Sequence, residues 1–325
     1  MQTRFKDKVI LLTGGTGSFG RAFTRRLVGD HAFRALRIFS RDELKQSEMR
    51  KAIGDPRLRF LLGDVRDRER LYRAMSGVDI VIHAAALKQI PAAEYNPFEA
   101  VKTNILGAQN IIDAAIDSGV EKVVALSTDK AVNPVNLYGA TKLCAEKIIV
   151  QGNAYTGGRG TRLSCVRYGN VVGSRGSVIP LFREQRETGT VTVTDPRMTR
   201  FWITLDEAVD FVLNSIDRLH GGEVFVPVLP SMKVTDLARA MAPECQIKEI
   251  GIRPGEKLHE VMVTEDEARH TLRYDRFFVL EPEHPWWKSE KWEGGEALPD
   301  GYRYSSDNNT EWLTVDELRK MIGEG

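Results

Sequence analysis

The sequence is poor in cysteine, has no surplus of charge and carries no long apolar run. Its three cysteines, Cys144, Cys165 and Cys245, are an odd number without metal-type spacing. No metal site or disulfide framework is indicated, and core or surface thiols in a reducing compartment fit the count. Lysine and arginine (46) balance aspartate and glutamate (45), which leaves a net charge of +1. Such a chain has no global field for nucleic acid or an anionic membrane, so any basic contact must be a local pocket. The opening "MQTRFKDKVILLTGG" lacks the apolar core of about 7–15 residues that a signal peptide needs, and nothing later approaches the roughly 18 apolar residues of a membrane span. These absences predict a cytoplasmic protein with neither nucleic acid nor membrane as partner. Internal repeats and low-complexity tracts are missing as well.

What is present is an alternation. With 42% hydrophobic and 28% charged residues, 325 residues can bury a large core, in one large domain with a smaller second lobe. Residues 8–14, 35–40, 58–64, 79–86, 122–128 and 162–173 are short, nearly continuous apolar runs, the pattern of strands buried on both faces. Between them, 17–30, 41–53, 67–76, 97–119 and 138–155 carry helical patterns. Strand and helix alternating in this way predict the α/β class: a Rossmann-type, doubly wound parallel sheet. From about residue 175 the pattern loosens into a smaller mixed α/β lobe. The division expected is therefore 1–174 for the dinucleotide domain, with later segments able to return to it, and 175–325 for a C-terminal lobe. The tail beyond residue 280, with its "HPWWKSEKWEGG", reads as mostly irregular.

"TGGTGSFG" (13–20) follows the first strand and opens a helix. Gly14, Gly17 and Gly20, with Thr16, Ser18 and Phe19 between them, would let the backbone approach a pyrophosphate at a helix N-terminus. A purely structural turn is the competing reading. At the end of the second strand, "FSRDELK" offers Ser40, Arg41 and Lys45 in place of the acidic residue that reads an NAD ribose, which favours NADP. An exposed helix start capped by Asp42 or Glu43 would look similar. Asp64 and Val65 stand where an adenine edge could be held, or Asp64 caps the next helix. Ala84, Ala85 and Ala86 end the fourth strand and leave room for a cofactor against the backbone. His83 is a core hydrogen-bonding group or a base. Lys88, just beyond the alanines, is a candidate ligand contact.

"STDKAVNPVNLYGATK" (127–142) carries most of the chemistry. Tyr138 and Lys142 are one helical turn apart and share a face, so the lysine could lower the phenol toward a useful range. Thr128 adds a hydroxyl at the strand end. Asp129 and Lys130 are a second acid–base pair that a single hydride transfer does not need; an Asp-capped turn with a solvated lysine is the bland reading.

These segments resemble the extended short-chain dehydrogenase/reductase superfamily. Within it, the chain is similar over about residues 8–320 to the inverting UDP-N-acetylglucosamine 4,6-dehydratases of the pseudaminic-acid pathway, through "FSRDELKQ", "AALKQIP", "RYGNVVGSRGSVIP", "TDPRMTRFWI", "RPGEKLHE" and "YSSDNNTEWL". Retaining relatives, often membrane-anchored, resemble the pattern with methionine in place of Tyr138. The resemblance implies NADP as cofactor, UDP-N-acetylglucosamine as substrate and a homo-oligomer. It implies C4 oxidation by Tyr138 and Lys142 with Thr128, C5 deprotonation by Lys130, protonation of the departing C6 oxygen by Asp129, and hydride return to C6. Lys130 is then expected to have a lowered pKa through burial beside Lys142 and the cofactor. Ser127 joins the cofactor set, and Asn170, Arg200, Arg253 and Glu256 would hold the nucleotide sugar. A retaining dehydratase, a nucleotide-sugar 4-epimerase and a non-catalytic NADP-binding module are the alternatives; the first differs at Tyr138 and the second has no use for an Asp–Lys pair.

Overall fold

The computed structural model describes residues 4–173, 178–283 and 292–323. The six apolar runs become β1 (Val9–Thr13), β2 (Ala35–Ser40), β3 (Leu58–Leu62), β4 (Ile80–His83), β5 (Lys122–Leu126) and β6 (Arg162–Val166). All pair in parallel in the order β3-β2-β1-β4-β5-β6. β1 and β4 are buried at every position, as their unbroken apolar runs require. Strand order reverses at β1, so the carboxyl ends of β1 and β4 open the crevice where such sheets bind ligands. Later segments extend the same sheet: Val224–Pro227 pairs in parallel with β6, and Phe277–Leu280 and Thr271–Arg273 follow antiparallel. The expected doubly wound α/β fold is thus present.

Helix ends follow local chemistry. α1 is Ser18–Asp30; α2 (Glu43–Ile53) is capped by Asp42 and stopped by Gly54 at φ 65°; α3 (Arg68–Met75) is capped by Asp67. Asp64 is therefore not the cap of that helix. The helix expected over 97–119 runs from Pro97 to Asp117 but contains a π-helical turn at Val101–Leu106, which buries Thr103 and Asn104.

Three expectations are corrected. The strand read over 162–173 ends at Val166, and Asn170–Val171 joins a separate three-stranded sheet beside Thr199–Ile203 and Ser231–Lys233. Gly169 marks the break: a Cβ there would lie 2.7 Å from the Phe201 Cβ, so the chain bends away from the main sheet to pack on that side chain. The tail is less irregular than its composition suggests. It holds the helix Val315–Ile322, started by a Thr314–Glu317 capping box, with Leu318 and Ile322 buried in a second core that includes Phe182, Trp202 and Met232. The third correction is Asp64, above. Trp286 and Trp287, and the expected division at 174 and 175, lie outside the described residues. Among the described residues no helix is long and apolar enough to cross a membrane.

Candidate active site

A cavity of about 1520 Å³ runs from the glycine loop, past the carboxyl ends of the central strands, to the C-terminal lobe. At its floor Gly14 adopts φ +65°, and a Cβ there would sit 2.9 Å from the Ala84 carbonyl and the Ala85 nitrogen. Only glycine allows this approach. Gly20 packs the first turn of α1 on Gly15, where a Cβ would fall 2.3 Å from the Gly15 oxygen. Gly17 precedes α1 as its N-cap and offers no side-chain cap, and no acidic residue stands in the first turn, so the helix N-terminus faces the cavity with positive character beside Thr16, Ser18 and Phe19.

The second contact region gathers Ser40, Arg41, Lys45, Asp64 and Val65 along the same wall. Buried Gln46 braces it from behind, donating its amide to Ser40 Oγ at 3.0 Å and to the Leu61 carbonyl at 2.9 Å. Asp42 caps α2 and pairs with the Lys45 ammonium, so the capping reading is realised without removing Arg41 from the cavity rim. Arg41 is half-exposed and 3.4 Å from Asp64. Burial would raise the Asp64 carboxyl, but hydrogen bonds and charge from Arg66, with Arg41 nearby, hold it below the usual carboxylate range. Ala84, Ala85 and Ala86 line the cavity opposite, with Lys88 at its exposed edge. His83 is a core group: its Nδ1 lies 2.8 Å from the Thr13 hydroxyl, and burial pushes its pKa down to about 3.

At the end of β5 the chain forms a turn that stacks the acid–base groups. Thr128 Oγ1 donates to Asp129 Oδ1 at 2.8 Å, and Lys130 Nζ donates to the same oxygen at 3.0 Å. Tyr138, on the helix Leu137–Gly152, is buried beside this turn, where Thr128, Asp129 and Lys130 all act on its phenol. Gly139 lets this helix touch the turn, since a Cβ would lie 2.2 Å from the Lys130 carbonyl. Asn104, from the π-helical turn, holds the Leu87 peptide at 2.8 and 2.9 Å and donates to Thr141 at 3.0 Å. It anchors the wall between the alanines and the tyrosine helix.

The electrostatics differ from expectation in three respects. Lys142 donates to the Leu126 carbonyl at 2.6 Å, and the cation acting on Tyr138 is Lys130. Burial pushes Tyr138 up to about 12; Lys130 and the Thr128 hydroxyl oppose that rise, and Asp129 adds to it. Lys130 has its pKa raised, not lowered: burial favours the amine, but the carboxylates of Asp129 and Glu260 outweigh it. Asp129 is fully buried behind Thr128 and Lys130 and does not line the cavity, and its Oδ2 has no hydrogen-bond partner among the described residues. Ser127 lines the cavity while its hydroxyl turns away to Glu146, at 2.6 Å.

The C-terminal lobe closes the other side. Asn170, Arg200, Arg253 and Glu256 all line the cavity. Lys130 Nζ is 3.5 Å from the Asn170 amide oxygen. Arg200 donates to the carbonyls of Thr199, Lys257 and Leu258 at 2.7–3.0 Å, so in this conformation it offers an anion its charge and not a free fork. Arg253 is exposed and 3.9 Å from Glu256. Two residues of "RPGEKLHE" that motif reading passed over are central: Lys257 donates to the Val132 carbonyl at 2.6 Å, pinning the Asp129–Ala131 turn, and Glu260 sits among Lys130, Arg200 and Lys257. The motif pointed to the segment; its side-chain directions came from folding. Asn104 left a fainter signal, a polar residue on an apolar helical face.

The resemblance read from the motifs holds over nearly the whole chain. The chain is 51% identical over 327 residues to the UDP-N-acetylglucosamine 4,6-dehydratase (inverting) of Campylobacter jejuni, with 98% of each chain covered. It is 40% identical over 341 residues to the UDP-glucose 4-epimerase of Rickettsia conorii, covering 98% of this chain and 96% of that one. Among solved structures, Pen from Bacillus thuringiensis superposes with a TM-score of 0.90 at 39% identity and 98% coverage of both chains. The polysaccharide biosynthesis protein family model matches residues 10–282, and with a glycine-floored crevice, a tyrosine–lysine helix and an acid–base turn arranged along one cavity, the chain belongs to that family.

Proposed function

We propose that the chain is an NADP-dependent UDP-N-acetylglucosamine 4,6-dehydratase that inverts C5, giving a UDP 4-keto-6-deoxy-L-arabino-hexosamine for a surface glycan of the pseudaminic-acid type. One observation carries the reading: Thr128, Asp129 and Lys130 are hydrogen-bonded to one another at the end of β5 with the Tyr138 phenol within their electrostatic reach, more acid–base capacity than a hydride transfer alone uses. The Campylobacter jejuni relative supports the reaction class. In this reading residues 1–174 hold the dinucleotide, 175–325 hold the nucleotide sugar, and the enzyme is a cytoplasmic homo-oligomer; light scattering measures the assembly.

The residues present fit a dinucleotide. Gly14 clears the backbone approach, the uncapped α1 start suits a pyrophosphate, and Arg41 and Lys45 suit a 2′-phosphate. When bound, it supplies the hydride acceptor for C4 and the hydride that returns to C6. Tyr138 takes the C4 hydroxyl proton, assisted by the Lys130 charge and the neighbouring Thr128 hydroxyl. A ketone at C4 acidifies the C5 proton, which Lys130, lining the cavity, removes. Asp129 supplies the proton for the C6 oxygen through the Lys130 or Thr128 groups in front of it, because its own carboxyl does not reach the cavity.

The Rickettsia relative favours a second reading, a 4-epimerase. Incubation with UDP-N-acetylglucosamine in deuterated water, followed by NMR, separates them: a 4-keto-6-deoxy sugar of inverted C5 configuration with solvent deuterium there supports the proposal, and a 4-epimer supports the alternative. No turnover would indicate the binding module. Arg41→Ala is expected to weaken NADP about tenfold or more while changing NAD little, as measured by calorimetry; equal losses would mean the 2′-phosphate is read elsewhere.

A further inference from the structure

Glu260 is a carboxylate buried to 3% exposure on the wall facing the acid–base turn, with no assigned part in binding or proton transfer. Its Oε1 lies 3.6 Å from Lys130 Nζ and 3.8 Å from Arg200 Nε, and its Oε2 lies 3.4 Å from Lys257 Nζ. The carboxylate is held from behind. Ser306, from the C-terminal segment, accepts the Glu260 N–H at 2.9 Å through its hydroxyl, returns its own N–H to the Glu260 carbonyl at 2.8 Å, and hydrogen-bonds Thr199 at 2.7 Å. A buried carboxylate that served only to balance Arg200 and Lys257 would have no reason to face the turn; this one contacts the side chain assigned as base.

We infer that Glu260 is a positioning residue that acts through Lys130, fixing its ammonium between two carboxylates and setting how readily it passes its proton to Asp129. The catalytic part of the inference rests on the dehydratase reading. The proton leaves Lys130 Nζ along the 3.0 Å contact to Asp129 Oδ1, converting ammonium and carboxylate into amine and carboxylic acid with no change in net charge. The amine then accepts the C5 proton. Glu260 attracts the ammonium and so opposes this transfer, and its distance from Nζ decides by how much. Every charged or titratable group facing Lys130 enters the balance: Asp129 on its own turn, Tyr138 on the adjoining helix, and Glu260 and Arg200 from the C-terminal lobe, with Lys257 behind Glu260.

The test is the Nζ nitrogen-15 NMR signal of Lys130, identified by its loss in Lys130→Arg and followed against pH in the full-length protein without substrate. In Glu260→Gln the ammonium form is expected to disappear at least about one pH unit below its loss in the wild type. Glu260→Asp, which keeps the charge but retracts it by one methylene, should give a smaller shift. Should Glu260→Gln not fold, the Asp variant carries the comparison. In turnover, the acid limb of the kcat profile, where Lys130 must lose its proton, is expected to move down by about one pH unit in Glu260→Gln with KM nearly unchanged, and by less in Glu260→Asp. Identical Lys130 titrations in wild type and variants would overturn the inference. Because the titration needs no reaction, it stands or falls separately from the product assay on the wild type, which decides the dehydratase reading.

Discussion

Replacing Lys130 with alanine is expected to abolish dehydration, lowering the rate of 4-keto-6-deoxy product formation by about 10²–10⁴-fold, while dinucleotide affinity stays near that of the wild type. The size follows from the position of the side chain. Lys130 is the cavity-facing member of the pair with Asp129, and its removal takes away both the group assigned to C5 deprotonation and the route by which Asp129 communicates with the substrate. It also removes the cation that opposes the rise of Tyr138, so the preceding C4 oxidation should slow as well. In the proposed reading, dinucleotide binding rests on other elements of the cavity, the Gly14–Gly20 loop and the rim around Arg41 and Asp64. Product formation by NMR and cofactor binding by calorimetry on the same preparation check both halves. Full product formation in the variant would remove Lys130 from the mechanism.

Arg167→Met should cost about 3–5 kcal/mol of stability, read as a lowered urea midpoint. Arg167 is fully buried on the segment that follows β6. It contacts Glu146 Oε1 at 2.5 Å and Glu267 Oε1 at 2.8 Å, and donates to the Met262 carbonyl at 2.7 Å. Methionine fills similar space but leaves two carboxylates without their cation, the arrangement in which a broken buried pair destabilises most. The network reaches the site: Glu146 accepts the Ser127 hydroxyl one residue before Thr128, and it stands on the same helix as Tyr138.

The same network sets an acid limit. Burial would raise Glu267, but Arg167 outweighs it and pushes the carboxyl down to about 2 from an ordinary value of 4.5. A carboxylate with a depressed folded-state pKa stabilises the fold above its unfolded value, and that contribution disappears as pH falls through the folded one. Wild-type stability should therefore decline between about pH 4.5 and 2 in urea titrations. Arg167→Met should remove this part of the decline, since protonating Glu267 then relieves an unpaired charge.

Much of the architecture was legible locally. β2 occupies the residues 35–40 that its apolar run marks, and α2 and the helix Leu137–Gly152 begin where Asp42 and Asn136 cap them. The tail helix is written locally too, in the Thr314 and Glu317 capping box, although the tryptophans and glycines before it give the tail an irregular composition. The cavity gathers nearly every residue the motifs nominated. Asp129 is the exception, because the direction of a side chain in a tight turn depends on what packs over it, and Thr128 and Lys130 occupy the cavity side.

By itself the sequence determined periodicity, caps and turn chemistry, and with them the strand–helix order and the identity of the acid–base residues, since each is written within a few neighbouring positions. Tertiary structure alone decided their proton affinities and partners. Lys130 holds its proton more tightly because Asp129 beside it and Glu260 from the C-terminal lobe outweigh its burial, Lys142 is turned to the Leu126 carbonyl, and Asn104 is buried within a π-helical turn. Coulomb and hydrogen-bond energies depend on distance through space, and no pattern along the chain states which remote residues will be brought within a few ångströms.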